Sequence, residues 1–567
     1  MADQVITDLD TLRLLDKTLL DDLWEKTAGA RAWQRGNARS AALQQLLAPI
    51  TTPTDSTLAA QVSSAIDRPL LGQICELLEA SGSFKIRLER HTLRSEGPDE
   101  VKILVPRAAI TPMWPMGTNV WIRDLAKIAS RLMSAASSGI PQAAVWRQDG
   151  LELLMSGVAL LSTPAQLRRF ENIVKHEGDP HLLHADLWPH IFLNIDSNLL
   201  GETDESWSHK QDAWQMLLVY VLDALAAGHV KETSLTASER KLLGLIVPFL
   251  AKTEYWRHET SGSWEELPAV RTSVIVWDVA VLDRIATAVQ EGRLSFLHED
   301  FAKYQAFLPA PLTGTSLASC CQLLAEAGAK QLLELLPHES PGYASDDPRY
   351  RDADAAATYH LLLDAPQMVA RYAPAPADWL AGIQQQIVAG LLSLQDPVTR
   401  GIRRYRGDSY QGHNYFTHET VARLEAICGG PSGDASGLEA FKLRASVIKP
   451  GYEAAWCHPL WQLVGYAARE SSRTQAPEAI LLRNELLLQG LGALTGDNEW
   501  TTEKTAEGIL RNIPIEPLRF TEAWLAVEHA GEIRYIPSPH TPLQWCVAEA
   551  MNAFSLVWQS MSLDAAK

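Results

Sequence analysis

The feature that most constrains this chain is a rhythm of apolar helical segments whose starts are of two kinds. Leu, Ala and Val recur at helical spacing in "LAKIASRLMSAA", "AWQMLLVYVLDALAAG", "ERKLLGLIVPFLAK", "VIVWDVAVLDRIATAV", "WLAGIQQQIVAGLLSL", "PLWQLVGYAARE", "AILLRNELLLQGL" and "PLQWCVAEAMNAFSLVW". Five helices follow loops that mix aromatic and polar residues: "MGTNVWIRD", "DESWSHKQD", "SGSWEEL", "GYEAAWCHP" and "YIPSPHTP". A weaker sixth loop, "YASDDPRYRDAD", precedes "AAATYHLLLD". Between them lie helices with plainer starts. This alternation predicts an all-α chain folded as an (α/α)6 barrel, with inner helices sending their N-terminal loops to one end. Free backbone N–H groups and helix dipoles make that end a polar pocket. Capping alone explains polar helix starts but does not predict tryptophan in them.

Strand candidates are few and early, notably "SFKIRLERHTL" and "EVKILVP". Residues 1–104 therefore read as an N-terminal cap of helices and a small sheet, and 105–567 as the barrel. A net charge of −18 argues against phosphate backbones and anionic membranes, which need clustered Lys and Arg. It suits a neutral substrate. Six cysteines without CxxC spacing suggest neither a zinc site nor a secreted disulfide framework. The start "MADQVITDLDTLRLLDKTLL" lacks the basic and apolar regions of a signal peptide. No run approaches the ~20 apolar residues of a membrane span. A cytoplasmic protein without cofactor is expected. His181, His184 and His190 in "HLLHADLWPH" lack a third ligand at familiar spacing, so they read as satisfied histidines rather than a metal site. "GGPSGDASG" reads as a loop that binds no phosphate, since no GK[ST] follows it.

The 18 tryptophans leave two uses open. Trp214, Trp277 and Trp461 lie inside apolar helices and read as core. Tryptophan beside charged residues in loops is also how proteins cover the C–H face of a sugar ring while neighbours take its hydroxyls. "SGSWEELPAV" poses the choice most sharply. Ser263 and Glu266 have the S-x-x-E form of a capping box, yet Pro268 would then fall where a backbone N–H is needed. If the helix starts near Pro268 instead, Trp264, Glu265 and Glu266 stand on a loop above its N-terminus.

With these segments in order, the chain resembles glucoamylase and its relatives, the family 15 glycoside hydrolases, and the related N-terminal domains of phosphorylase kinase α and β subunits. "NVWIRDLAKI" is similar to the family's W-x-R-D segment, which implies that Arg123 and Asp124, beside Trp121, bind the terminal glucose. "SWSHKQDAWQML" resembles the segment with a substrate-covering tryptophan, giving Trp207, Lys210, Gln211 and Asp212. "SWEELPAV" resembles the W-E-E helix start, so Glu265 would be the general acid, with Trp264 and Glu266 beside it. "RRYRGDSYQGHNYF" is similar to R-Y-x-x-D-x-Y, placing Arg404 on sugar hydroxyls or, equally, on its own loop through Asp408. The C-terminal match is looser: "TEAW" implies Glu522 as the base, whereas counting back from the Trp545 helix selects Glu528.

The resemblance implies an exo-acting, inverting α-glucoside hydrolase that releases glucose from the non-reducing end of an α-glucan or short α-glucoside. Inversion needs one protonated and one ionised carboxyl, roughly 6.5–9.5 Å apart across the sugar. Adjacent Glu265 and Glu266 stand on one loop and are not that pair. Glu266 is expected to raise the pKa of Glu265 or to bind a hydroxyl. The "EAAWCHPLW" and "PSPHTPLQW" segments look more like the phosphorylase kinase branch, which keeps open a non-catalytic glucan- or sugar-binding regulator.

Overall fold

The structure is a computed structural model. It describes residues 17–27, 39–51, 66–94, 100–106, 119–136, 143–184, 187–194, 212–264, 266–412, 441–442, 445, 449–504, 510–529 and 531–564. Helix α1 (Lys17–Lys26) and a helix over Ala41–Thr51 precede α2 (Arg68–Ala80) and an antiparallel hairpin of β1 (Leu88–Arg94) and β2 (Glu100–Pro106). From α2 onward, outer and inner helices alternate. Short strand β3 (Asn119–Trp121) leads into α3 (Ile122–Ala135), which is followed by α4 (Ala143–Leu161). Strand β4 (Phe192–Asn194) pairs with β3 and precedes α5 (Asp212–Ala226) and α6 (Ala237–Thr253). A two-residue ladder of β5 (Glu259–Thr260) and β6 (Ala269–Val270) introduces α7 (Thr272–Gln290), then α8 (Leu317–Leu335).

The next inner helix is broken. Its halves are α9 (Thr358–Leu362) and α10 (Ala365–Tyr372). Asp364 between them takes φ 53, a left-handed conformation that ends the first half, and Pro366 fits the first turn of the second. Outer α11 (Ala377–Ser393), strands β7 (Ile402–Arg403) and β8 (Ala455–Trp456), and inner α12 (His458–Thr474) follow. Outer α13 (Pro477–Gly492) leads through β9 (Glu499–Lys504), β10 (Leu510–Ile515), β11 (Ala523–His529) and β12 (Glu532–Pro537) to inner α14 (Gln544–Asp564).

The inner helices close a ring. Each packs on the next, α3 on α5, α5 on α7, α7 on α9, α9 on α12 and α12 on α14, and α14 returns to α3. The described outer helices cover this ring: α4 lies against α3 and α5, α8 against α7 and α10, and α13 against α12. This is the (α/α)6 barrel that the alternating helix starts predict, and all six rich loops precede inner helices. Trp214, Trp277 and Trp461 are core, at 1%, 0% and 1% exposure. No described helix is long and apolar enough to cross a membrane.

One expectation differs from the structure. Strands are neither few nor confined to the start: β12, β11, β8 and β7 form a four-stranded sheet in that order, and β9 pairs with β10. Strand β11 is buried on both faces over its first five residues, so it shows no period-2 alternation. Strands β7 and β8, at two residues each, are too short to carry any pattern. The described part of the first 104 residues packs on the barrel. Helix α2 lies on α14 as an outer helix, and α1 lies on β9, β10 and β11. There Leu23, at 1% exposure, joins Trp456, Leu525, Val527 and Ile536 in one apolar cluster.

Close helix packing sets a stability prediction. A Cβ at Gly328 on α8 would meet the Tyr255 hydroxyl at 2.1 Å and Val279 of α7 at 2.6 Å. Neither yields cheaply, because Tyr255 Oη donates to the Leu324 carbonyl at 2.8 Å. Gly328→Ala is expected to destabilise the fold by about 1–3 kcal/mol in denaturant unfolding, despite alanine's better helix propensity.

Candidate functional site

Ser263 does not cap a helix. Gly262–Trp264 forms a single 3₁₀ turn, and α7 begins only at Thr272. The cap comes from Glu339, whose carboxylate accepts from Ser273 N at 3.0 Å and from the hydroxyls of Thr272 and Ser273 at 2.9 and 2.5 Å. Ladder β5–β6 closes the intervening residues into a loop, which frees Ser263 to donate to Asp212 at 3.2 Å. Trp264 is held by its indole N–H, 2.7 Å from Asp354 Oδ1. Glu266 is 4% exposed and accepts from Arg404 at 2.8 Å, the Tyr405 hydroxyl at 2.5 Å and Arg351 at 3.4 Å. Two guanidinium groups offset its charge, so its described contacts position Arg404 and weaken it as a like-charge neighbour. Glu265, Trp207, Lys210 and Gln211 lie outside the described residues.

Arg123, one residue into α3, donates through Nε and Nη2 to both oxygens of Asp212 at 2.8 and 2.9 Å, and to the Gly262 carbonyl at 3.2 Å. Asp212 opens α5 with 0% exposure, a position where the helix dipole favours negative charge. The pair therefore ties the first, second and third inner-helix starts together. Trp121 is the extended residue before α3, partly buried against the core. Asp124 stands in the first turn of α3, where its charge acts on Lys127 one turn on.

Arg404 follows β7 and is 3% exposed. It pairs with both oxygens of Asp408, at 2.7 and 2.6 Å, as well as with Glu266. Its guanidinium carbon lies 5.3, 5.2 and 4.8 Å from the ring centroids of Trp264, Trp456 and Tyr410. The aromatic wall continues from Trp264 to His458 at 5.8 Å and from His458 to Trp545 at 4.0 Å. Burial, then the charges of Lys127 and Arg404, hold His458 well below its ordinary pKa, so its ring is neutral.

Glu522 immediately precedes β11 and is 9% exposed. Its carboxylate accepts from Ser538 Oγ at 2.8 Å and Gln411 Nε2 at 3.3 Å, and its carbonyl accepts from Cys457 N at 2.9 Å. Burial raises its pKa to about 7 against those two hydrogen bonds and the Arg404 charge. Glu528 stands six residues along the strand, with its side chain 27% exposed and ion-paired to Lys449 at 2.5 Å. Glu522 is thus the carboxylate that shares electrostatics with Arg404.

The "HLLHADLWPH" histidines have structural partners. His181 bonds the Thr253 carbonyl at 2.9 Å and stacks on His258 at 4.5 Å, which stacks on Trp188 at 4.8 Å. Several residues at this end went unread in the sequence: Lys127, Asp354, Gln411, His458 and Ser538. Only Lys127 carries a signal there, since Arg123, Lys127 and Arg131 place charge on one face of an otherwise apolar helix.

No family model matches this chain, and no curated protein does. Several solved structures are similar to it. A wild-type glycosidase is 12% identical at TM-score 0.46, covering 88% of this chain and 100% of that one. Glucoamylase from Saccharomycopsis fibuligera is 12% identical at TM-score 0.44, covering 88% and 97%. Hormoconis resinae glucoamylase is 9% identical at TM-score 0.35, covering 87% and 75%.

The ion pairs themselves are testable. Arg404→Met would strand Glu266 and Asp408, at 4% and 0% exposure, without their shared guanidinium. A loss of about 3–5 kcal/mol is expected in chemical denaturation, because an uncompensated charge remains buried. Tolerance of the change would show that the remaining donors suffice.

Proposed function

We propose that the protein is an exo-acting, inverting α-glucoside hydrolase of glucoamylase type, which takes glucose from the non-reducing end of an α-glucan or short α-glucoside. The observation that carries this reading is Glu522: a desolvated carboxylate beside a guanidinium group, at the aromatic-walled end of the barrel. Indole rings suit the apolar face of a pyranose, and the surrounding donors suit its hydroxyls. In this reading Arg123, Asp124 and Asp212 at the inner-helix starts, with Arg404, orient the terminal glucosyl unit. Trp121, Trp207, Trp264, Lys210 and Gln211 complete its surroundings. Glu265 protonates the leaving oxygen as general acid. Glu522, ionised, takes a proton from the attacking water on the opposite face.

Glu266 acts through Arg404, holding it where a hydroxyl can reach. A non-catalytic sugar-binding regulator of phosphorylase kinase type would use the same aromatic wall. It has no need of a carboxylate whose pKa is tuned to about 7, which is a setting for proton transfer near neutral pH.

Glu265→Gln and Glu522→Gln are each expected to lower turnover on maltose roughly 10²–10⁴-fold with sugar binding kept, while Glu528→Gln is near neutral. NMR of the first product should show β-glucose. α-Glucose would reject inversion, and an inactive wild type that still binds sugar would establish the regulator. A second expectation concerns pH. Glu522 works ionised, so kcat/KM should fall as pH drops below about 7. Ser538→Ala removes a bond to the charged form and should move that limb to higher pH. Stability runs the other way: a carboxyl raised from 4.5 to about 7 contributes fully below 4.5, and loses that contribution as pH rises through 7. An acid limb unmoved by Ser538→Ala would remove Glu522 from the base role.

A further inference from the structure

The face of α3 that carries Arg123 continues into the ring through Lys127 and Arg131, at successive four-residue steps. Both arginines have carboxylates of their own. Arg123 is paired with Asp212, and Arg131 Nε donates to Glu549 at 2.6 Å and Nη1 to the Tyr220 hydroxyl at 3.2 Å. Lys127 has no such bond. Its side chain is 0% exposed, and its ammonium nitrogen makes no hydrogen bond among the described residues. It lies 3.0 Å over the Trp545 ring and 5.4 Å from that of Tyr359.

Three carboxylates act on it, Asp124 one turn back on α3, Asp212 and Glu549, and the last two are already engaged. Asp212 accepts from Arg123 and Ser263, and Glu549 accepts from Arg131 and, at 2.7 Å, from Gln462. A buried amine with three donors and no acceptor destabilises a fold unless something else supplies the oxygen. It is not isolated in this. His458 Nδ1, Trp456 Nε1 and Trp545 Nε1 are likewise buried without a protein partner. His458 and Trp545 meet at a tilt with centroids 4.0 Å apart, and Lys127 lies on the Trp545 ring. These four unbonded polar groups therefore border one aromatic surface, below the starts of the inner helices.

We infer that Lys127 binds substrate: its amine meets a hydroxyl oxygen of the sugar ring taken at the aromatic-walled end of the barrel, and so helps to decide which ring is accepted. This rests on the α-glucoside reading and names a contact within that site. A hydroxyl suits the position better than a carboxylate or phosphate, because Asp212 and Glu549 both act on Lys127 and would repel an anionic ring. Burial and the Arg123 charge also lower the amine's pKa well below its ordinary value, which eases the loss of its charge in a neutral partner's company.

The test pairs enzyme variants with altered sugars. Binding of maltose, its four derivatives deoxygenated at C2, C3, C4 or C6 of the non-reducing ring, and the corresponding α-glucuronide would be measured calorimetrically. Wild type, Lys127→Met and Lys127→Arg would be compared. Lys127→Met is expected to weaken maltose about 10- to 100-fold, the range of a hydrogen bond to a charged or strongly polar group. One deoxy sugar should be weakened similarly in wild type and lose nothing more in Lys127→Met. That variant should also melt at a higher temperature than wild type, since it removes a buried, unpartnered amine. A purely structural lysine would give a lower melting temperature and equal deoxy penalties in both proteins, and either result overturns the inference. Preference for the glucuronide in wild type, lost in Lys127→Met, overturns the hydroxyl assignment. If wild type binds none of these sugars, the α-glucoside reading fails and the Lys127 contact falls with it. If it binds them and Lys127→Met binds all equally well, the Lys127 contact alone is wrong.

Discussion

The polar end of this barrel depends on one guanidinium group. Arg404 is reached from β7 of the C-terminal sheet, yet its partner Glu266 belongs to the loop before α7, on the ring. Asp408 holds the other side of the fork. Trp264, Trp456 and Tyr410 surround it, exclude water and so strengthen its Coulomb attraction to both carboxylates. Through this contact the sheet and the ring share one wall. The Trp264 and Trp456 rings, with centroids 6.0 Å apart, reinforce the same link.

Such a site works against stability. His458, Trp456, Trp545, Gln544, Gln411 and Lys127 all bury polar atoms that find no partner within the protein. Each buried donor or acceptor left unbonded costs about 1–3 kcal/mol. The rest of the chain offsets this by conventional means. Inner helices close on one another without a gap, Gly328 lets α8 settle onto α7, and α1 covers the apolar side of the sheet with Leu23 and Trp24. Other such groups lie deeper in the ring, among them Gln215 and Asp278.

Legibility in the sequence follows the same division. Helices were readable because their apolar faces repeat over many residues, and the barrel followed from which loops held tryptophan. The C-terminal sheet was not readable. Strand β11 is buried on both faces, and the pairs in β7 and β8 show a strand only through partners more than fifty residues away. The Ser263–Glu266 spacing was a true pattern put to another use. Ser263 bonds Asp212, Glu266 bonds Arg404, and Glu339, 66 residues beyond Ser273, caps the helix. No local motif could reveal that cap. Arg404 was legible with its near partner Asp408, four residues on, but the distant partners Asp212 of Arg123 and Glu266 of Arg404 were not, since they meet only after the ring closes.

Ring order also fits the proposed pair of carboxyls, Glu265 and Glu522, lying so far apart in the chain. The loop before α7 opens the third inner helix, and Glu522 lies in the connection to α14, the sixth. In a ring of six, third and sixth members face each other. With helix axes about 8–10 Å apart, opposite members stand roughly twice that distance from one another. That is too far for a pair that must flank one sugar at roughly 6.5–9.5 Å. The loops must therefore lean inward. The aromatic contacts show that the loop before α7 does, because Trp264 comes within 6.0 Å of Trp456 and 5.8 Å of His458, both from the fifth inner-helix start. Glu522 leans in from the other side, held by Gln411 and Ser538. A barrel with fewer helices would leave too little room for a ring between such loops. One with more would leave them too far apart to act on the same bond.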